Sequence, residues 1–219
     1  MANAIEKVNT IAIADIEKVN TLTDDNIEKL NTLEFTGVTD AHTLIDSQDA
    51  GGGTSVTFSS LGSYDVLLFD WINFDSTDGG TDTLSFQATT ASYAYNVPIT
   101  STSFRGYHKE DDTSASVSYY SGGGQAEGTA YNWLGAYTGY NADSSTSGNF
   151  TIYGHSSVTY VKHFMSASSS EGANVNDAIF SHYVAGYMDT TEAITAIQFK
   201  ALGGGTFTGT ISLYGLATS

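Results

Sequence analysis

The chain has no cysteine and a single proline, Pro98, among its 219 residues. The missing thiols exclude disulfide staples, thiolate metal sites and thiol catalysis together, and leave the compartment open. Cations are scarce as well: 7 Lys and Arg stand against 24 Asp and Glu, a formal charge of −17. Such a chain repels nucleic acid and anionic membranes unless a cation mediates the contact. No apolar run approaches the ~20 residues of a membrane-spanning helix, so no membrane insertion is expected. The first residues, Met1-Ala2-Asn3-Ala4-Ile5-Glu6, lack the basic start and apolar stretch of a secretory signal, so no N-terminal export signal is expected.

What is present describes a folded chain. Forty per cent of the residues are apolar and only 14% charged, with 23 glycines, a composition too apolar for disorder. The length favours one main domain with a small appendage.

The appendage is a repeat. IEKVNT begins at Ile5 and again at Ile16, and IEKLNT begins at Ile27, a period of 11 residues. Asp15 and Asn26 precede two copies as helix N-cap types, and Asn9, Asn20 and Asn31 tolerate the left-handed conformation that ends a helix. Each copy reads as a cap, one helical turn and a stop. A continuous right-handed coiled coil has the same period, but Asn-Thr and β-branched residues in every copy disfavour it. Three rungs cannot bury their apolar positions alone. Ile5, Val8, Ile16, Val19, Ile27 and Leu30 are therefore candidate anchor or oligomerisation positions, and residues 1–35 an attachment segment.

Residues 36–53 are small and polar and read as a linker with at most one short element. From 54 to 219, apolar and aromatic runs of 6 to 11 residues alternate with Gly, Ser, Asp and Asn clusters, the pattern of an all-β body. In 206–216, Phe207, Ile211 and Leu213 share one side, so this strand has one dry face. In 64–75, Val66, Leu68 and Ile72 oppose Leu67, Phe69 and Trp71, which predicts a strand covered on both faces. Further strands are expected at 55–58, 83–88, 99–108, 114–120, 129–137, 148–153, 158–167, 179–188 and 194–201. The fold class is an all-β, jelly-roll-like two-sheet β-sandwich preceded by a short repeat of helical turns.

Candidate chemistry is sparse. Asp75, Asp78 and Asp82 form a carboxylate-rich loop of the type that holds calcium, although Asp beside Gly is also ordinary turn chemistry. Glu110-Asp111-Asp112 reads as a solvated loop tip. The five histidines, His42, His108, His155, His163 and His182, are scattered singly, without the paired spacing of a zinc site. No Gly-x-Ser-x-Gly elbow, phosphate-binding loop or dinucleotide fingerprint occurs, so no catalytic residue is nominated and a non-enzymatic role is expected. No cofactor is expected beyond the calcium candidate. Tyrosine is abundant, with 14 copies, and Tyr131, Trp133, Tyr137 and Tyr140 fall in a stretch whose Gly135 and Gly139 suggest loops. They are candidate exposed aromatics for a glycan or protein ligand.

The repeat units Ile5–Asn9, Ile16–Asn20 and Ile27–Asn31 precede a β-rich body ending in Gly209-Thr210-Ile211-Ser212-Leu213-Tyr214-Gly215-Leu216. Together these features resemble virion structural proteins of tailed bacteriophages, especially marine, cyanophage-like ones. The resemblance covers the two ends of the chain, and the repeat departs from it in carrying Asn-Thr where similar proteins often have Asn-Gly. It implies a fibre, appendage or capsid-decorating subunit made in the host cytoplasm and carried on the external surface of the virion. The repeat would anchor to other virion proteins or to sister chains, commonly as a homotrimer. The alternative is an adhesin tip that binds a host glycan or receptor.

Overall fold

Two strands joined by two residues, one of them Asn, have hairpin spacing, and the repeat carries this spacing three times. In the computed structural model, β1 (Lys7–Val8) pairs antiparallel with β2 (Ile11–Ala12), β3 (Lys18–Val19) with β4 (Leu22–Thr23), and β5 (Lys29–Leu30) with β6 (Leu33–Glu34). The register sets Val8 against Ile11, Val19 against Leu22 and Leu30 against Leu33. At these positions the backbone is strand where helical turns were expected; each copy sets an apolar residue on either side of Asn-Thr, the spacing of a two-residue hairpin, and the β-branched Val8, Ile11 and Val19 favour the ribbon further. Ile5, Ile16 and Ile27 lie outside the described residues. Apart from these six strands, the structure describes residues 42–77, 82–138, 143–172 and 177–216. The chain divides into two units, 1–41 and 42–219.

The second unit holds β7 (Thr43–Asp49), β8 (Val56–Phe58), β9 (Val66–Ser76), β10 (Leu84–Thr89), β11 (Ile99–Lys109), β12 (Ala115–Tyr119), β13 (Gln125–Gly128), β14 (Asn132–Trp133), β15 (Thr146–Tyr153), β16 (Lys162–Glu171), β17 (Ala178–Met188), β18 (Ala196–Ala201) and β19 (Phe207–Leu216). They form two antiparallel sheets. The larger runs β12-β11-β17-β16-β15-β9-β19-β7, with β13 also paired to β11; the smaller runs β14-β10-β18-β8. The unit is all-β and sandwich-like, with sheets of nine and four strands. Residues 43–49, inside the expected linker, are an edge strand of the larger sheet paired to β19; weak alternation in this half-exposed segment hid the strand in the sequence. Among the described residues no helix is long and apolar enough to cross a membrane.

Six phenylalanines join the sheets. Phe58, Phe86 and Phe199 come from the smaller sheet, and Phe69, Phe150 and Phe164 from the larger. Their rings form one connected layer: Phe86 lies 4.3 Å from Phe150 and 5.1 Å from Phe164, and Phe69 lies 5.1 Å from Phe199 and 5.4 Å from Phe58. Tilted and edge-on contacts suit the aromatic quadrupole and add to the burial term.

The apolar centre of β9 is covered once, not twice. Leu67, Phe69 and Trp71 are buried, whereas Ile72 is 59% exposed. A bulge at Ile72–Asn73 then shifts the phase, so that Phe74 becomes the next buried residue. Asn73 takes φ +55 there, and Gly209 opposite it takes φ +109. A Cβ at Gly209 would stand 2.8 Å from two carbonyl oxygens, so the bulge requires glycine. The strand buried on both faces is β10, whose outward Ser85 and Gln87 are fully enclosed. The Gln87 amide donates to the Val97 and Thr129 carbonyls at 3.0 and 3.2 Å, and its oxygen accepts from the Ala88 N–H.

Phe86→Ala or Phe150→Ala removes a ring from the centre of this layer. Each is expected to cost about 3–5 kcal/mol in urea unfolding, against less than about 1 kcal/mol for Ile72→Ala on the exposed side. Equal losses at buried and exposed positions would contradict the single-layer core.

Candidate functional site

Alternation along the larger sheet sends every second residue outward, away from the phenylalanine layer. One outward row runs across the sheet as Tyr119, Phe104, Tyr183, Ala167, Asn149, Asp70 and Ser212. The adjacent row runs Thr102, Ala185, Met165, Thr151, Leu68 and Tyr214. Phe104 and Tyr183 stack with centroids 5.0 Å apart and planes 17° apart, yet stay 49% and 44% exposed. Beside them lies a shallow depression of about 410 Å³ lined by Asn149, Thr151, Tyr153, Met165 and Tyr183. A second, of about 480 Å³, is lined by Thr102, Tyr153, His163, Met165 and Tyr187. The face offers flat rings, hydroxyls and one amide.

Its electrostatics follow from where the cations went. Lys7, Lys18 and Lys29 lie in the repeat, leaving Arg105, Lys109, Lys162 and Lys200 for the body. The Arg105 guanidinium sits 4.1 Å over the Tyr120 ring and the Lys200 ammonium 4.8 Å over Tyr131. Lys162 is fully buried, its ammonium donating to the carbonyls of Ser157, Tyr160 and Thr190 at 2.6, 3.0 and 3.1 Å. None of these three reaches the two outward rows, which carry one formal charge, Asp70. Burial raises the Asp70 carboxyl above its ordinary value, a rise partly opposed by His42.

The aromatic stretch nominated from sequence is placed differently. Tyr131, Trp133 and Tyr137 are half-buried, and Tyr140 lies outside the described residues. Trp133 packs between Tyr120 and Tyr137 at 5.6 and 5.4 Å, and the Tyr131 hydroxyl is bonded to Gln198. Burial pushes the Tyr131 phenol up to about 12. The segment lies on the inner side of β16, where Ser166 donates to the Leu134 carbonyl at 3.1 Å and Ser170 faces that of Ala136 at 3.5 Å. Gly135 permits a close approach, not a loop: a Cβ there would stand 3.2–3.3 Å from Thr146, Thr83 and Ser168.

Of the calcium candidates, Asp78 lies outside the described residues and Asp75 is half-exposed. Asp82 is buried with both oxygens engaged by donors: the Ser76 hydroxyl at 2.6 Å, the Thr83 N–H at 2.9 Å and the Gly203 N–H at 2.8 Å. It ties the end of β9 to the start of β10 and to the β18–β19 connection. Among the described residues, no three His, Asp or Glu side chains gather in a metal-holding group.

The outward residues that sequence reading missed are Phe104, Tyr153, Met165 and Tyr183. Their signal was the alternation in β11 and β17, masked in β16 because its inner side carries Lys162, Ser166, Ser168 and Ser170 while Met165 points out.

No protein-family model matches the chain, and comparison with curated proteins and with solved structures gives no significant match.

His182 is fully buried on the inner side of β17, and neither ring nitrogen has a partner at hydrogen-bond geometry. Burial pushes its pKa down to about 4, helped by Arg105 and opposed by the Gly135 backbone. The unfolded chain takes up this proton near pH 6.5 and the folded chain only near 4. Stability from the neutral ring is therefore complete above about pH 6.5 and is lost as the pH falls towards 4, by about 3 kcal/mol. An NMR titration of His182 is expected to give a midpoint near the lower value, and His182→Phe to remove this component of the pH dependence. A midpoint near 6.5 would contradict it.

Proposed function

We propose that this chain is a non-enzymatic structural subunit of a larger particle, as its phage-like ends suggest. In this reading the repeat attaches to the particle or to sister chains, as a homotrimer, and the jelly-roll-like body is displayed on the outside of a virion. The observation that carries the reading is the centre of the outward face of the nine-stranded sheet: two adjacent rows with exposed aromatics and a single formal charge, Asp70, in a chain of net charge −17, the other carboxylates of that face, Asp49, Asp75 and Glu171, lying outside these rows. Such a surface is suited to contact, since exposed aromatic and apolar side chains that cluster with few charges commonly mark an interaction site. The repeat supports the same reading, because three isolated two-residue ribbons are too short to be stable alone.

Val8→Asp, Val19→Asp and Leu30→Asp combined in the full chain are expected to abolish co-sedimentation with the native particle while circular dichroism of the body stays unchanged. A triple variant incorporated at the wild-type level refutes the anchor.

A second reading, an attachment tip, is favoured by the stacked Phe104–Tyr183 pair beside Asn149 and Thr151. A flat ring next to hydroxyl and amide donors suits the apolar face and hydroxyls of a neutral sugar. Tyr183→Ala with Tyr153→Ala is then expected to lower adsorption of the protein to host cells by tenfold or more with little change in unfolding midpoint. Unchanged adsorption removes this reading and leaves the structural one standing.

A further inference from the structure

The two edges of the nine-stranded sheet are built differently. At one edge, β7 carries Asp46 and Asp49, and its ladder with β19 breaks at Leu213/Tyr214. Acidic residues and a bulge are the devices that keep foreign strands off an exposed edge. At the other edge, β12 reads Ala115-Ser116-Val117-Ser118-Tyr119, without charge or proline. It holds five unbroken register pairs with β11, from His108↔Ala115 to Phe104↔Tyr119. All five residues are exposed, Val117 by 76% and Tyr119 by 65%.

The phase of the ladder fixes what this edge presents. The Ser114 carbonyl and the Tyr120 N–H both bond to the β11 side, from Lys109 at 3.0 Å and to Ser103 at 3.0 Å. Antiparallel pairs alternate, so Ser116 and Ser118 spend their backbone groups on β11. Ala115, Val117 and Tyr119 turn their N–H and C=O groups away from the sheet, symmetrically about Val117. Next to them on the outward face lie Phe104, Ile179 and Tyr183, each 44–49% exposed.

We propose that β12 is a self-association edge, pairing antiparallel with β12 of a second copy across a twofold axis at Val117. Val117 bonds to Val117 of the second copy, and Ala115 to its Tyr119, joining two nine-stranded sheets into one. Charge selects both occupant and direction. Copies of net charge −17 repel each other except along uncharged surface, and β12 offers such a strip. A parallel pairing would bring the two Glu110-Asp111-Asp112 tips together. The antiparallel one sets each acidic tip beside the other copy's Tyr119 end, where Arg105 lies on Tyr120. The proposal does not depend on the phage reading and goes beyond it, because the contact is between bodies and not through the repeat.

The test uses the full chain at physiological salt. In the Val8→Asp, Val19→Asp, Leu30→Asp background, where only the bodies can associate, sedimentation equilibrium is expected to find a dimer, and adding Val117→Lys to give half that mass with an unchanged circular dichroism spectrum. The natural absence of cysteine makes a single thiol unambiguous. Hydrogen-bonded cross-strand Cα atoms lie ~5.5 Å apart, within disulfide reach. Val117→Cys is expected to form covalent dimers under mild oxidation, and Ser47→Cys on β7 to stay unlinked. An unchanged mass for Val117→Lys, or a folded Val117→Cys that does not cross-link, overturns the proposal. So does cross-linking of Ser47→Cys at an equal rate.

Discussion

The six-phenylalanine layer is the constraint on which the rest of the body depends. A four-stranded sheet can shade only part of a nine-stranded one, and the rings on β8, β10 and β18 decide which part. They lie over β9, β15 and β16, so the dry core sits towards one side of the larger sheet. Ile99 on β11 and Val184 and Met188 on β17 still join it, but the remainder of these strands and β12 extend beyond, and their inner side needs another cover. The chain supplies one from 129–138, laid against β16 and β17.

That cover is held by polar contacts, which explains the unusual inner side of β16. Ser166 and Ser170 meet the carbonyls of Leu134 and Ala136, while Leu134 and Thr138 donate to the carbonyls of Leu84 and Asp82 at 2.9 and 3.0 Å. Asp82 therefore anchors the segment through its backbone and the β9–β10 and β18–β19 connections through its carboxylate. Buried hydroxyls and amides cost free energy unless bonded, and two groups without a partner, the Ser168 hydroxyl and the His182 ring, sit under the same segment. The polar half of the sandwich holds His182 and its expected share of the pH dependence, and the dry half supplies the cohesion.

Part of this was legible in the sequence. The alternation of Phe207, Ile211 and Leu213 identified one dry face, and all three are buried. Strands expected at 99–108 and 179–188 match β11 and β17 within one residue at each end. The failures have physical causes. The strand expected at 158–167 begins only at Lys162, because the ammonium gathers carbonyls from the preceding loop, and no pattern encodes that. The apolar centre of β9 suggested double cover, but its second face is the sheet's uncovered outward side, where Ile72 stays exposed. In 129–138, Gly135 marked close packing against Thr83, Thr146 and Ser168 where open loop was expected. A binary pattern assumes an apolar interior, and it inverts wherever the interior is built from serine, lysine and histidine.

The same inversion determines the surface. A lysine enclosed by three carbonyls, an arginine laid on one tyrosine and a lysine on another are cations withdrawn from the task of neutralising 24 acidic side chains. The uncompensated field extends about 8 Å at physiological ionic strength, far enough to discourage anionic partners from most directions. Uncharged surface within such an envelope becomes a selective opening: neutral, ring-bearing or hydroxyl-bearing partners lose little on approach, and polyanions are turned away before contact. Placing serines inside and aromatics outside thus has one electrostatic consequence. On the proposed reading, specificity is set where charge is missing, and the two central rows on the side turned away from the phenylalanine layer, with Asp70 alone, are such a place.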